Sequence, residues 1–189
     1  MNHLTEQQLI KQYIAGDQRS LGVLINQHRD KIFTSIYLLV KDRVLAEDIF
    51  QDTFIKVIDR LTKGQYNEEG KFVHWISRIA HNLCIDHFRK SKSISFIKKA
   101  DDRDIFESIH ILEDSTVNIE QRQTYDRVRK MLDKLPEEQR EVIILRHYAD
   151  LSFAEIAKMT KCSINTALGR MRYGLLNLRK MVKEKELAL

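Results

Sequence analysis

Between residues 163 and 180 the chain groups Asn165, Thr166, Gly169, Arg170, Tyr173, Asn177 and Lys180 at steps of one, three and four. On a helix those steps collect hydrogen-bond donors, acceptors and positive charge on one face. Ile164, Leu168, Met171, Leu175, Leu178 and Val182 form a second stripe, read as buried. Such a polar face suits base edges in a DNA major groove, with Arg172, Arg179 and Lys180 placed for phosphates. Residues 161–189 hold seven Lys or Arg and two Glu, a net +5 that equals the formal charge of the whole chain. The positive charge is therefore concentrated at this end.

Two further groups carry chemistry of other kinds. In FVHWISRIAHNLCIDHFRK, residues 72–90, Phe72, Ile76, Ile79, Ala80 and Leu83 read as buried. Trp75, Arg78, Asn82, Ile85 and Arg89 then lie on the other side, with His74 and His81 flanking. Charge interleaved with an aromatic ring suits single-stranded nucleic acid; the alternative makes Trp75 a core residue and the arginines solvated charges. In residues 43–61, Ala46, Phe50, Phe54, Val57, Ile58 and Leu61 can face a core. Asp48, Gln51, Asp52 and Asp59 fall opposite, with Leu45 and Ile55 among them. That face is either a docking surface for a basic protein or an ordinary solvated one.

The elements that position these residues are helical. Ser152 and Glu155 have capping-box spacing before the apolar Phe153, Ile156 and Ala157, and after a turn over 159–162 Ser163 caps the longer helix. Together they read as a helix-turn-helix, or more plainly as a three-helix packing unit with a basic face. Tyr125, Val128, Leu132 and Leu135 give a preceding stripe, and Pro136 opens a helix continued by Val142, Ile143, Leu145 and Arg146. Near the N-terminus two helices separate at Gly16 and Asp17, with Ile10, Ile14, Leu21, Leu24, Ile25, Ile32, Ile36 and Leu39 as expected core.

Six Gly and one Pro in 189 residues favour an all-α fold over a turn-rich sheet. Residues 91–121 are charge-segregated, basic at Lys92, Lys98 and Lys99 and then acidic from Asp101 to Glu120, which reads as a linker. The expected organisation is two small helical domains, 1–93 and 122–189, joined by a flexible linker over 94–121. No apolar run approaches a membrane span and the N-terminus lacks a signal-peptide pattern, so a cytoplasmic protein is expected. Cys84 and Cys162 belong to no CxxC motif, and His81 and His87 point to different sides of one helix. Neither metal, cofactor nor disulfide is expected.

In order and spacing these pieces resemble a bacterial RNA polymerase sigma factor of the sigma-70 family, extracytoplasmic function group, over roughly residues 9–179. AEDIFQDTFIKV (46–57) looks like the family's second conserved region. The resemblance implies that Asp48, Gln51, Asp52 and Ile55 meet the clamp of the polymerase largest subunit. Residues 72–90 look like its promoter-melting segment. That segment's likeness implies minus-10 strand contacts for Trp75, Arg78, Asn82 and Arg89, and the loop TKGQYNEEGKF (62–72) corresponds to one that captures a flipped minus-10 base, implying roles for Tyr66, Asn67 and Lys71. Residues 135–180 are similar to the minus-35 module, implying Ser163, Asn165, Thr166, Gly169, Arg170, Arg172 and Tyr173 as DNA contacts. Asn165 stands where the family often has glycine, and Leu168 where many members are polar or basic. The resemblance further implies promoter DNA and an anti-sigma factor as partners, a linker that threads the polymerase, and no catalytic chemistry. Two other readings stay open. One is a stand-alone helix-turn-helix regulator. The other is a metal-dependent nuclease using Asp48 and Asp52, or His81 and Asp86.

Overall fold

The computed structural model describes residues 4–67, 70–95 and 127–186, with only the backbone of 91–95 and 185–186. Among these residues all regular structure is helical. The helices are α1 (Glu6–Ile14), α2 (Gln18–Val40), α3 (Arg43–Thr62), α4 (Phe72–Ser95), α5 (127–133), α6 (Glu137–His147), α7 (Phe153–Met159) and α8 (Ile164–Glu186). They sort into two compact units, α1–α4 and α5–α8. The linker expected over 94–121 and the stripe residue Tyr125 fall almost wholly outside the described residues.

Side chains at the helix starts explain where the elements begin. Thr5 and Gln8 form a capping box on α1, with the Gln8 N–H donating to Thr5 Oγ1 at 3.3 Å and the Thr5 N–H to Gln8 Oε1 at 2.8 Å. Asp17 caps α2 and Asp42 caps α3, accepting from the backbone of Arg19 and Leu45, each at 3.0 Å. Each such cap stabilises its helix by about 1 kcal/mol relative to alanine. The Asp17 carboxyl is held below its ordinary value, chiefly by the Ser20 hydroxyl and then by the Arg19 N–H. Lys41, at φ 62°, ends α2 in the left-handed region, so α3 starts after a two-residue turn.

In the first unit α2 packs on α1, α3 and α4, and α3 also packs on α4. Leu24, Ile32 and Ile36 of α2, Ala46, Val57 and Leu61 of α3, Phe72 and Ile76 of α4, and Leu9 of α1 are all fully or almost fully buried in this packing. Burying each large side chain contributes about 1.5–3 kcal/mol. Ile14, expected in the core, is 60% exposed, because α1 is short and turns Leu9, Ile10 and Tyr13 inward instead. In the second unit Val142, Leu145, Ala149, Leu151, Ile156, Ala157 and Ala167 make the core. Leu132 and Leu135 are buried, while Val128 of the expected stripe stays exposed.

Candidate functional site

α7 and α8 form the expected helix-turn-helix. Ser152 Oγ accepts the Glu155 N–H at 3.3 Å, and the Glu155 carboxylate accepts the Ser152 N–H at 2.8 Å. Arg146 ties α6 to α7, donating to Leu151 O at 2.8 Å while its guanidinium lies 5.4 Å from the Phe153 ring centre. The turn passes through Lys161 at φ 53°. Ser163 Oγ then accepts the Thr166 N–H at 3.0 Å and pairs with Thr166 Oγ1 at 2.8 Å. These two hydroxyls start α8 and remain exposed on its first turn.

The buried side of α8 differs from the expected stripe. Leu168 is 43% and Leu175 39% exposed, and Ile164 and Val182 are exposed as well. The helix instead buries Ala167 and Gly174, with Met171, Leu178 and Met181 half-buried. Small size decides this, because α8 approaches α6 closely along Gly174. A Cβ there would lie 2.8 Å from Ile143 Cδ1. Asn177, expected on the outward face, donates to Gln139 Oε1 at 2.9 Å and joins the same seam. Asn165, Arg172 and Tyr173 are exposed, and Gly169 and Arg170 half-buried.

On α4 the exposed strip is narrower than expected. Arg89 and Asn82 are exposed, Arg78 half-buried, and Lys71 stands exposed just before the helix on the same side. Trp75 does not belong to it. This ring is 7% exposed and lies 5.9 Å from Phe72 and 4.9 Å from Tyr66, the latter edge-on. Tyr66 is correspondingly half-buried, its ring also edge-on to Phe72 at 5.6 Å. Each edge-to-face pair contributes about 0.5–1.5 kcal/mol beyond area burial, which explains why the indole turns inward. Among the described residues between α3 and α4, Asn67 and Lys71 are exposed, as are Lys63 and Gln65.

On α3, Asp48, Gln51 and Asp52 are exposed around Ile55, which is 63% exposed. Asp48 and Asp52 make no ion pair among the described residues. Asp59, by contrast, holds Lys63 at 2.7 Å. The opposite side buries Ala46, Ile49, Thr53, Phe54, Val57 and Leu61; Ile49 and Thr53 were not expected there. Thr53 satisfies its hydroxyl by donating to Ile49 O at 2.7 Å, so a polar residue enters the core.

Comparison with known proteins matches residues 24–94 to Sigma-70 region 2 and residues 125–171 to Sigma-70, region 4. The ECF RNA polymerase sigma factor SigW of Bacillus subtilis is 30% identical over 183 residues, covering 93% of this chain and 95% of SigW. The chain belongs to the extracytoplasmic function sigma factors. RNA polymerase sigma-H factor of Pseudomonas aeruginosa is also 30% identical, over 172 residues and 88% of each chain. Among solved structures, RpoE from Bartonella quintana, in complex with the anti-sigma factor NepR, shares the fold at TM-score 0.67 and 19% identity. It covers 87% of this chain and 98% of its own. CnrH, in complex with the cytosolic domain of CnrY, shares it at TM-score 0.62 and 23% identity, covering 93% and 96%.

The sigma factor's α3, the following loop and all but the last residue of α4 lie within the region 2 match, and α5 to the first part of α8 within the region 4 match. Directing RNA polymerase to promoters is thus the function of the fold that these elements build. Of the two pairs in the nuclease reading, Asp48 and Asp52 share an exposed face of α3, but His81 and Asp86 do not converge. His81 is 3% exposed inside α4, whereas Asp86 is exposed and lies 3.7 Å from Arg89. No cluster of three His, Cys, Asp or Glu able to hold a metal occurs among the described residues. Both cysteines are free, and burial pushes the Cys84 thiol up to about 12. Among the described residues no helix is long and apolar enough to cross a membrane.

Proposed function

We propose that the unit around α3 and α4, residues 1–93, binds polymerase core and the melted minus-10 strand, and that residues 122–189 bind the minus-35 duplex. The segment 94–121 links them. Asp48, Gln51 and Asp52 with Ile55 meet the clamp of the largest subunit. Asn67 and Lys71 contact a flipped minus-10 base and its phosphate, while Arg78, Asn82 and Arg89 follow the strand. Ser163, Asn165, Thr166, Gly169, Arg170 and Tyr173 face the minus-35 groove, and Arg172 meets phosphate. The protein acts in the cytoplasm as an initiation subunit without catalytic chemistry of its own. An anti-sigma factor is its regulatory partner, in keeping with the complex of RpoE with the anti-sigma factor NepR.

The observation that carries this reading is the patch on α3. Two exposed carboxylates that make no ion pair among the described residues, beside an exposed isoleucine, are unexplained by a regulator that works without polymerase. The test is titration of core polymerase with wild-type protein and with the Asp48→Ala, Asp52→Ala double variant. Weaker binding by the variant, with an unchanged helical spectrum, supports the patch as the polymerase contact. Equal binding refutes that assignment.

A further inference from the structure

The rings around the loop between α3 and α4 suggest how that loop is held. Its backbone leaves α3 through Gly64 at φ 65° and approaches α4 through Gly70 at φ 70°. The loop's beginning is fixed to α3 by Gly64 N–H donating to Leu61 O at 3.1 Å and Gln65 N–H to Arg60 O at 2.9 Å. Beyond Gln65, Tyr66 is the loop's one aromatic residue before Phe72. Its ring meets Trp75 at 4.9 Å, inclined at 66°, and Phe72 at 5.6 Å, nearly perpendicular at 85°. Phe72 is fully buried and backed by the His28 ring of α2 at 5.8 Å. Three rings from two elements thus form a bracket on a fixed backing, and Asn67 follows directly on the ring that closes it.

We propose that Tyr66 is a positioning residue: its ring closes the bracket with Trp75 and Phe72, places Asn67 beside the Lys71, Arg78 and Asn82 strip, and so sets which unpaired base the loop accepts. A ring engaged on two others is not a free stacking surface, so Tyr66 acts through Asn67 and does not receive the base itself. The inference rests on the reading of this loop as the base-capturing one, and the test separates the two.

Full-length protein with core polymerase is titrated against promoter fragments whose minus-10 segment is pre-melted and carries each base in turn at each unpaired position. The readout is the ratio of affinities for the best and worst base. Tyr66→Ala is expected to lower that ratio about tenfold, the scale of one misplaced base contact. Asn67→Ala should lower it equally, and the double variant no further, as for residues acting in series. Tyr66→Phe keeps the ring and should keep the wild-type ratio. Tyr66→Leu, which retains bulk without a ring, should lose it, and serves in place of Tyr66→Ala if the latter does not fold. Loss in Asn67→Ala with none in Tyr66→Ala or Tyr66→Leu overturns the bracket alone. Losses that add in the double variant also overturn it, because Tyr66 would then touch the base. Unchanged ratios in every variant overturn the bracket together with the loop reading.

Discussion

Gly174→Val tests the seat of the DNA-reading helix. At Gly174 a Cβ would stand 2.8 Å from Ile143 Cδ1, 3.4 Å from Gln139 Cβ and 3.6 Å from Gln139 O. Ile143 is 7% exposed, so its terminal methyl has little room to withdraw. Valine adds two further methyls in one strongly preferred helical rotamer, directed at the same seam. Overpacking of this kind costs about 1–3 kcal/mol, and replacing glycine in a helix interior returns less than about 1 kcal/mol. Opening the seam also stretches the 2.9 Å bond from Asn177 to Gln139, worth about 0.5–1.5 kcal/mol. A net loss of about 2 kcal/mol should lower the melting temperature of the second unit by about 8–16 °C. Trp75 is the single tryptophan and lies in the first unit, so its emission isolates that unit, whereas helical circular dichroism follows both. The expected result is a downward shift of the dichroism transition with an unchanged Trp75 transition, and a smaller shift for Gly174→Ala. A Gly174→Val protein that melts with the wild type would refute the close approach of α6 and α8.

Three further outcomes follow from particular side chains. Burial holds His28 below its ordinary value, against the opposing pull of Glu6, whose Oε1 stands 2.9 Å from Nε2, and with Lys31 adding to the depression. The unfolded chain therefore binds this proton more readily. The His28 contribution is complete above about pH 6.5 and is lost as the pH falls below that value, so His28→Gln should flatten the acid-side decline of the Trp75 melting transition. In thiol titration of the native protein, Cys162, half-buried in the helix-turn-helix turn, should react well before Cys84, whose thiol is buried and protonated; equal rates would contradict the packing of α4. Arg170→Ala should weaken minus-35 binding by about 1–3 kcal/mol and relax choice at one base pair, measured by competition between duplexes; an unchanged preference removes Arg170 from base reading.

Helix positions were legible because caps and apolar periodicity agree locally. Ser152 with Glu155, Asp17 after Gly16, and the stripe of Ala46, Phe54, Val57 and Leu61 all settle into their expected places. What sequence periodicity missed depended on size and on distant contacts. In α8 the apolar stripe pointed to Leu168 and Leu175, yet the buried positions are Ala167 and Gly174, seven residues apart, because close helix approach selects for small residues. That spacing was visible, but a hydrophobicity pattern gives it no weight. Trp75 offered two faces of nearly equal merit, and the deciding contact comes from Tyr66, nine residues earlier in a polar loop. The exposed Asp48, Gln51 and Asp52 were legible as a face, but a face alone does not name what covers it. The order of the pieces along the chain gave the family.

The most direct test is transcription in vitro from a promoter library with core polymerase and this protein. The expected result is protein-dependent initiation from templates sharing one minus-35 and one minus-10 sequence at fixed spacing, lost in the Asp48→Ala, Asp52→Ala variant. Specific duplex binding in the absence of polymerase, with no protein-dependent initiation on any template, would contradict the account.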